Sequence, residues 1–519
     1  PWDRFIRDLW LLVPRHGRRV RTVNVRAQMR PWPQIEQLTE GAALRDDAVF
    51  ATVPNIGLAD LYRVAPHVDA HEGDDLVIVY GPGAAFVRHD VLWYADLPKR
   101  HALRWIEQRR APNLGQPHDA VGTARRLVFI DWPIEDRHRR ELVPRLDRYI
   151  DLTDVGFLYS LSGDALRSSL ATLVTAPFRT RPAFTAQPWG GRWARDVLGV
   201  PESEPNTGLG YELVAPESGI LLGDDKRIEV GLDVLLAEHA DELLGESVAR
   251  RFDRQFPIRF DYLDTVGGGD LSVHCHPRES YMREVFGFPY AQDESYYAMV
   301  TSPGSRIHLG LRGDADVDAF RAVAERSQAD GRPFAVDAFV NVFPAEQHQL
   351  YLIPAGTPHG SGDGNVVLEI SATPYLYSLR MYDWMRAGLD GAPRAVQLHH
   401  AFANLDPRRR GDAVLRELVP RATLVRSGEG FAEYAIGRHA DLFFAVHRLD
   451  IDTVADDDTR DRFHVLNLVE GDEVMLRTRS GREHRLAYAE TIVVPAAVGA
   501  YTVTRTGREA ARVVKAFVA

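Results

Sequence analysis

From Trp189-Gly190-Gly191 onward the chain is a succession of short apolar runs broken by Gly, Pro and Asp. Short strands punctuated by turn residues point to sandwiches or barrels. Two segments interrupt this texture as helices: residues 232–244, closed by Gly245, and residues 316–328. The texture returns toward the C-terminus, with alternation in Phe463-His464-Val465-Leu466-Asn467-Leu468 followed by Glu470-Gly471-Asp472. The expectation is two successive β-barrels.

The N-terminal third is different. Residues 75–80 form a mostly apolar run ending in Gly81-Pro82-Gly83, as a buried strand entering a turn would. Residues 127–130 read as a second strand, closed by Asp131-Trp132-Pro133, and residues 101–110 between them as a helix stopped before Pro112. Strand, helix, strand implies a parallel α/β domain. The segment Asp74-Asp75-Leu76-Val77-Ile78-Val79-Tyr80-Gly81-Pro82-Gly83-Ala84-Ala85 resembles the uridine-kinase-like class of P-loop folds, as a degenerate or truncated copy. No GxxxxGK[ST] occurs and the turn lacks a phosphate-holding lysine, so it is read as structural. A Pro/Arg-rich stretch from Pro177 to Pro188 marks a boundary, because X-Pro pairs favour extended connectors.

At about 100–200 residues per domain, 519 residues suggest three or four domains. The expected division is an α/β domain over 1–180, a metal-binding barrel over 181–400 and a metal-free barrel over 401–519. With 45% hydrophobic and 26% charged residues the composition is that of a globular chain. The net charge of -11 gives no support to nucleic-acid binding through basic charge. Lysine occurs only at Lys99, Lys226 and Lys515, so the positive charge is almost all arginine. The single cysteine, Cys275, cannot form an intrachain disulfide, which fits a reducing compartment. The apolar run Leu9-Trp10-Leu11-Leu12-Val13 is too short for a signal-peptide core, and no stretch approaches eighteen apolar residues. The expectation is a cytoplasmic protein with no membrane partner. The sequence opens on Pro1, so no argument rests on a missing leader.

Chemistry concentrates at Gly267-Gly268-Gly269-Asp270-Leu271-Ser272-Val273-His274-Cys275-His276-Pro277. Residues two apart in a strand share a face, so His274 and His276 present both imidazoles to one point while Cys275 faces away. In Ile353-Pro354-Ala355-Gly356-Thr357-Pro358-His359 a Pro-Gly turn presents a third histidine. A carboxylate would complete a set suited to zinc, iron or manganese.

These motifs resemble the two metal-site motifs of the cupin superfamily, whose members are jelly-roll barrels. The match narrows to type I phosphomannose isomerases, which carry Leu-Ser-x-Gln-x-His-Pro, Thr-Glu-x-Trp-Tyr, Ile-Pro-x-Gly-x-x-His, Leu-Leu-Glu-Ile and Tyr-Arg-x-Tyr-Asp-Trp in that order. Here the corresponding stretches are Leu271 to Pro277, Asp293-Glu294-Ser295-Tyr296-Tyr297, Ile353 to His359, Val367-Leu368-Glu369-Ile370 and Leu379-Arg380-Met381-Tyr382-Asp383-Trp384. The resemblance covers about residues 181–519. It implies that His274, His276, Glu294 and His359 bind one divalent metal, zinc in the family. It also implies Arg380 as the electrophilic residue and Glu369 as the base of an enediol isomerisation of mannose 6-phosphate and fructose 6-phosphate. The spacing from Glu369 to Arg380 is one residue longer than in bacterial relatives, and an alternative role for Glu369 is to orient a ligand histidine.

Two departures qualify that expectation. His274 stands where the family has glutamine, which keeps a ligand and shifts preference toward iron; manganese also remains open. Gln292 stands where the family commonly has a phosphate-binding lysine, and a neutral amide cannot replace an ammonium opposite a dianion. Arg386 and Arg394 fall where the family's downstream basic residues lie and are the candidates to hold phosphate. Glu279, three residues after His276 and beyond Pro277, is a competing carboxylate off the histidine face. In the C-terminal barrel His464 stands alone and is expected to be structural. The leading expectation is the sugar-phosphate isomerase. The others are an isomerase or epimerase of a related or unphosphorylated sugar, a non-catalytic sugar sensor, and an iron-dependent cupin dioxygenase, which the Arg380-Met381-Tyr382-Asp383-Trp384 stretch disfavours.

Overall fold

The computed structural model describes residues 6–8, 11, 19–69, 71–154, 156–201, 204–215, 217–225, 227–374 and 376–519. Leu9, Trp10, Leu12 and Val13 of the N-terminal apolar run lie outside the described residues. The chain forms two compact units: Pro1–Ala171 with Gly219–Glu238 and Glu284–Gly287, and Thr172–Ser218 with His239–Arg283 and Phe288–Ala519.

The first unit mixes helices and strands, but not as one parallel sheet. Leu76–Tyr80 is a strand, paired in parallel with Val20–Asn24 in a two-stranded sheet. A separate three-stranded sheet joins Trp93–Asp96 and Arg148–Asp151 in parallel and adds Tyr159–Ser162 antiparallel. The expected strand at 127–130 is helical instead: Ala124–Arg126, a π-helical turn Leu127–Asp131 and Trp132–Leu142 run on from one another. Thr123 caps the start, its hydroxyl accepting from the Arg126 amide at 3.3 Å. Leu127, Phe129, Ile130, Trp132 and Ile134 are all buried. A short apolar run carries no period that separates a buried strand from a buried helix, and the interior decided it. The helix expected at 101–110 is present as Lys99–Glu107.

The turn Gly81-Pro82-Gly83 is not a phosphate loop. It leads into a single 3-10 turn, Ala84–Phe86, rather than a helix whose N-terminus could receive an anion. Gly83 has φ 77°, and the Tyr62 hydroxyl donates to the Pro82 carbonyl, so the turn is pinned against a tyrosine.

In the second unit the expected antiparallel strands are found. A six-stranded sheet runs Leu350–Ile353, Glu294–Thr301, Asn365–Ala372, Ile258–Asp264, Leu209–Leu213, Ala183–Thr185. A five-stranded sheet runs Val340–Pro344, Arg306–Leu311, His359–Ser361, Val273–Cys275, Leu379–Tyr382. Asn365–Ala372 and Ile258–Asp264 are buried at every residue, as strands covered on both faces must be. The Pro177 to Pro188 stretch is not a loose connector. Phe178 and Val493 exchange both backbone hydrogen bonds, at 2.9 and 2.8 Å, and Ala183–Thr185 becomes an edge strand, where prolines nearby cost no ladder bond.

A second pair of sheets follows: Thr423–Gly428, Phe431–Gly437, Phe444–Ile451, Ala511–Val518, His464–Glu470, Thr491–Val494 in one, and Val454–Asp458, Ala500–Arg505, Glu473–Thr478, Glu483–Ala487 in the other. Leu449, Leu466, Leu468, Ile492 and Val513 from the first sheet and Leu476, Leu486 and Val503 from the second meet in one buried core. The two expected helices are present. Leu232–Leu244 is broken at His239 (φ -130°, ψ 36°), and Val317–Asp330 starts at Asp316, whose carboxylate accepts from the Asp318 and Ala319 amides at 2.9 and 3.1 Å.

Candidate metal centre

Strand alternation turns His274 to the interior and Cys275 the other way, where its Sγ lies 3.5 Å from the Ala401 carbonyl. His276 follows at once and Pro277 ends the strand. The Pro354-to-Thr357 turn needs Gly356 at φ 85°, because a Cβ there would sit 2.6 Å from the Asn404 carbonyl. That turn delivers His359 as the first residue of its strand. His274 pairs with His359 on one side and with Arg380 on the other. Glu294 comes from the six-stranded sheet, as the first residue of Glu294–Thr301.

His274, His276, Glu294 and His359 each bring a ligand atom to within 4.8 Å of the others, and all four are buried. The His274 and His359 rings are 4.2 Å apart by centroid, and His276 lies 5.2 and 5.1 Å from them. Each Nδ1 faces a backbone carbonyl: His274 to Ser272 at 2.8 Å, His359 to Thr357 at 2.8 Å, His276 to Tyr377 at 3.3 Å. A carbonyl only accepts, so on His274 and His359 Nδ1 carries the proton and Nε2 keeps its lone pair. Glu294 Oε2 touches His276 Nε2 and lies 3.3 Å from His359 Nε2, which finds no hydrogen-bond partner. Burial and the neighbouring imidazoles hold His274 well below the usual histidine range, and burial lowers His276 against the pull of Glu294. Burial alone would raise Glu294, but His276 and His359 outweigh it and hold it well below the usual carboxylate range. The directions at His274, His276 and Glu294 all favour the forms that bind a divalent metal, an imidazole lone pair and a carboxylate.

The wall behind these residues is polar in two rows. Across three neighbouring strands, Glu294, Ser371 and Arg259 align in one row and Tyr296, Glu369 and Asp261 in the next. Arg259 pairs with Glu369, donates to Ser371 Oγ at 2.6 Å and lies 3.4 Å from Asp261. Ser371 donates to Glu369 at 2.9 Å. Burial raises Glu369 well above the usual range and Asp261 to about 6. One guanidinium thus faces three buried acidic side chains, Glu294, Glu369 and Asp261. Imidazole and carboxylate donors at these positions fit zinc, iron or manganese.

Arg380, half-buried, donates Nε to the Ala395 carbonyl at 3.1 Å. Asp383 binds both Arg394, at 2.6 Å, and Arg386, at 3.2 Å, so the two candidate phosphate residues share one carboxylate. Gln292 is fully buried and neither end of its amide finds a hydrogen-bond partner. Glu279 is exposed and paired with Arg283 at 2.6 Å, away from the histidines. His464 is bonded to Tyr501 at 2.8 Å in a buried network with Asp457, Glu433 and Lys515. A cavity of about 430 Å³ lies against the four-stranded sheet, lined by Arg426, Asp456, Arg460, Arg477, Arg479 and Tyr501 among others, and includes none of the site residues.

No sequence motif singles out a role for Arg259, Asp261, Ser371 or the hydroxyl of Tyr296. A signal was present: in Ile258–Asp264 the charged residues Arg259 and Asp261 sit two apart, alternating with Ile258, Phe260 and Tyr262, hence on one face.

A family described as a domain of unknown function, DUF8485, matches residues 2–175. A mannose-6-phosphate isomerase of Streptococcus mutans is 27% identical over 218 residues, 41% of this chain and 63% of that protein. The chain therefore spans just under two thirds of the length of this curated relative. The mannose 6-phosphate isomerase of Bacillus subtilis superposes with a TM-score of 0.53 at 19% identity, over 66% of this chain and 99% of that one. A mutant of phosphomannose isomerase from Salmonella typhimurium gives 0.50 at 15% identity, over 66% and 99%. At these identities the likeness to the solved structures is one of fold.

Proposed function

We propose that this protein is a metal-dependent aldose-ketose isomerase interconverting mannose 6-phosphate and fructose 6-phosphate through an enediol. The observation that carries the reading is the convergence of His274, His276, Glu294 and His359, with Arg380 on the strand beside His274 and Glu369 on the strand beside Glu294. The sequence relative and the shared fold support it. The corresponding architecture is an N-terminal α/β region followed by two cupin barrels, the first bearing the metal. A soluble, cytoplasmic setting goes with that reading; no helix among the described residues is long and apolar enough to cross a membrane.

Zinc, or iron or manganese, would be held by the three Nε2 atoms and the Glu294 carboxylate, and when bound supplies Lewis-acid polarisation of the sugar oxygens at C1 and C2. Arg380 places a guanidinium beside those oxygens, where it stabilises the negative charge that builds as the enediol forms. Glu369 takes the proton from C2 and returns it to C1, with Arg259 and Ser371 fixing the carboxylate while it does so. Arg386 and Arg394 hold the phosphate. A second reading, an isomerase of an unphosphorylated sugar, draws on Gln292, whose amide is neutral, and on Asp383, which already engages both arginines. A coupled assay with mannose 6-phosphate, with and without chelator, tests the proposal: turnover that chelation abolishes supports it, and none with any of the three metals overturns it. His276→Ala should lose most bound metal and activity while keeping its fold; full metal retention would overturn the ligand set.

A further inference from the structure

The cavity of about 430 Å³ against the four-stranded sheet has the size of a small-molecule site and contains none of the metal donors. Strand order accounts for its shape. Val454–Asp458 and Glu473–Thr478 flank Ala500–Arg505, with Asp456 and Arg477 both opposite Thr502 and Asp458 opposite Ala500. From the turn after its strand, the Arg479 amide donates to the Ala500 carbonyl at 3.2 Å. Residues two apart share a face, so Asp456 and Asp458 stand on one flank, Arg477 and Arg479 on the other, and the short side chains of Ala500 and Thr502 leave a trough between them. Arg460 joins the lining from the turn after Asp458.

Most of the charge on this lining is already engaged. Arg426 donates to Glu433 at 2.5 Å and lies 3.4 Å from Asp456, while Asp457 accepts from Lys515 at 2.5 Å and from Tyr501 at 3.1 Å. Asp458 accepts from the Arg460 amide at 2.8 Å, and Arg477 pairs with Glu483. The guanidiniums of Arg460 and Arg479 are exposed and make no ion pair or hydrogen bond among the described residues, and the half-buried Thr502 hydroxyl makes no hydrogen bond among them either. Arg460 and Asp461 stand at φ 49° and 59°, left-handed backbone that glycine adopts without strain; what arginine adds at 460 is a guanidinium at the rim. Two guanidinium forks suit a phosphate, whose oxygens take more donors than a carboxylate offers places for. The acid flank opposite repels a polyanion and accepts from hydroxyl groups.

We propose that this cavity binds a small phosphomonoester with free hydroxyl groups, a sugar phosphate in chemical class. Arg460 and Arg479 take the phosphate, and Thr502 and Asp456 take hydroxyls. The site is separate from the metal centre and does not rest on the isomerase reading.

The test is titration calorimetry on the full-length protein with three probes: mannitol 1-phosphate, which has no carbonyl to isomerise, inorganic phosphate, and mannitol. Mannitol 1-phosphate should bind more tightly than either of the others. The double variant Arg460→Ala, Arg479→Ala should weaken a mannitol 1-phosphate site by at least about 10-fold, and the double variant Arg386→Ala, Arg394→Ala should retain that site. Thr502→Val should weaken mannitol 1-phosphate and leave inorganic phosphate unchanged. Wild-type affinity in the Arg460/Arg479 variant, or loss of all binding in the Arg386/Arg394 variant, overturns the inference. Inorganic phosphate binding as tightly as mannitol 1-phosphate overturns it too, since the cavity would then read charge alone. Turnover of mannose 6-phosphate reports on the metal centre separately, so an inactive protein would sink the isomerase reading and leave the calorimetric result standing.

Discussion

Arg380 lies opposite His274 on the neighbouring strand, with Nε tied to a backbone carbonyl and, among the described residues, no carboxylate of its own paired with the rest of the guanidinium. Burial and the charge of Arg394 lower its pKa to about 10, which still leaves it cationic at neutral pH. In the proposed isomerisation a cation placed this way would act when charge develops on the substrate. Arg380→Ala should therefore lower kcat by orders of magnitude with a smaller change in KM; an unchanged kcat with raised KM would move Arg380 to phosphate binding. Arg386 and Arg394 differ from it, since both are bonded to Asp383. Two guanidiniums against one carboxylate leave a net positive charge, enough to hold a phosphate through charge-assisted bonds of about 1.5 to 3 kcal/mol each. The double substitution of both by alanine should erase any preference for mannose 6-phosphate over mannose, read from the ratio of kcat/KM values. A preference that survives places the phosphate elsewhere.

The alternation of one short strand, Val273–Cys275, serves two ends. It sends His274 inward and Cys275 toward the carbonyl of Ala401 in helix Leu398–Asn404. The thiol is fully buried, and burial pushes its pKa up to about 12. Thiolate is the reactive form, so Cys275 should resist iodoacetamide in the native protein at pH 8 and take up one label per chain on unfolding. Native labelling at the rate of an exposed thiol would show that this strand does not keep its register. The same period-two logic made both histidines legible in advance, whereas Leu127 to Ile130, apolar at every position, offered no period and was settled by helical burial.

Across the molecule, the second pair of sheets carries its own buried charge. Lys515 bridges Glu433 at 2.7 Å and Asp457 at 2.5 Å, with His464 beside them. Burial and the Lys515 charge push His464 down to about 3. In the unfolded chain it takes a proton near pH 6.5, so its neutral burial stabilises fully above that value and loses its contribution as pH falls toward 3. His464→Gln should therefore flatten the fall in unfolding free energy between pH 6.5 and 4, measured by urea denaturation. An identical slope in the variant would show that this histidine does not set the acid sensitivity.

The strand texture after Trp189, the His274/His276 pair and the turn that presents His359 were legible because each depends on local geometry: a two-residue period, a proline and a glycine with φ 85°. Glu294, which joins the histidines, was named only through resemblance, as were Glu369 and Arg380, since nothing in a single strand says which carboxylate or arginine will face a distant histidine. Tertiary structure alone decided the rest. Register across Ile258–Asp264, Asn365–Ala372 and Glu294–Thr301 assembled Arg259, Asp261, Glu369, Ser371 and Tyr296 into a wall, and the fold around Asp383 joined Arg386 to Arg394. Pairing partners separated by about a hundred residues leave no periodic trace in the chain, because their contact is fixed by which strands lie side by side and in which register.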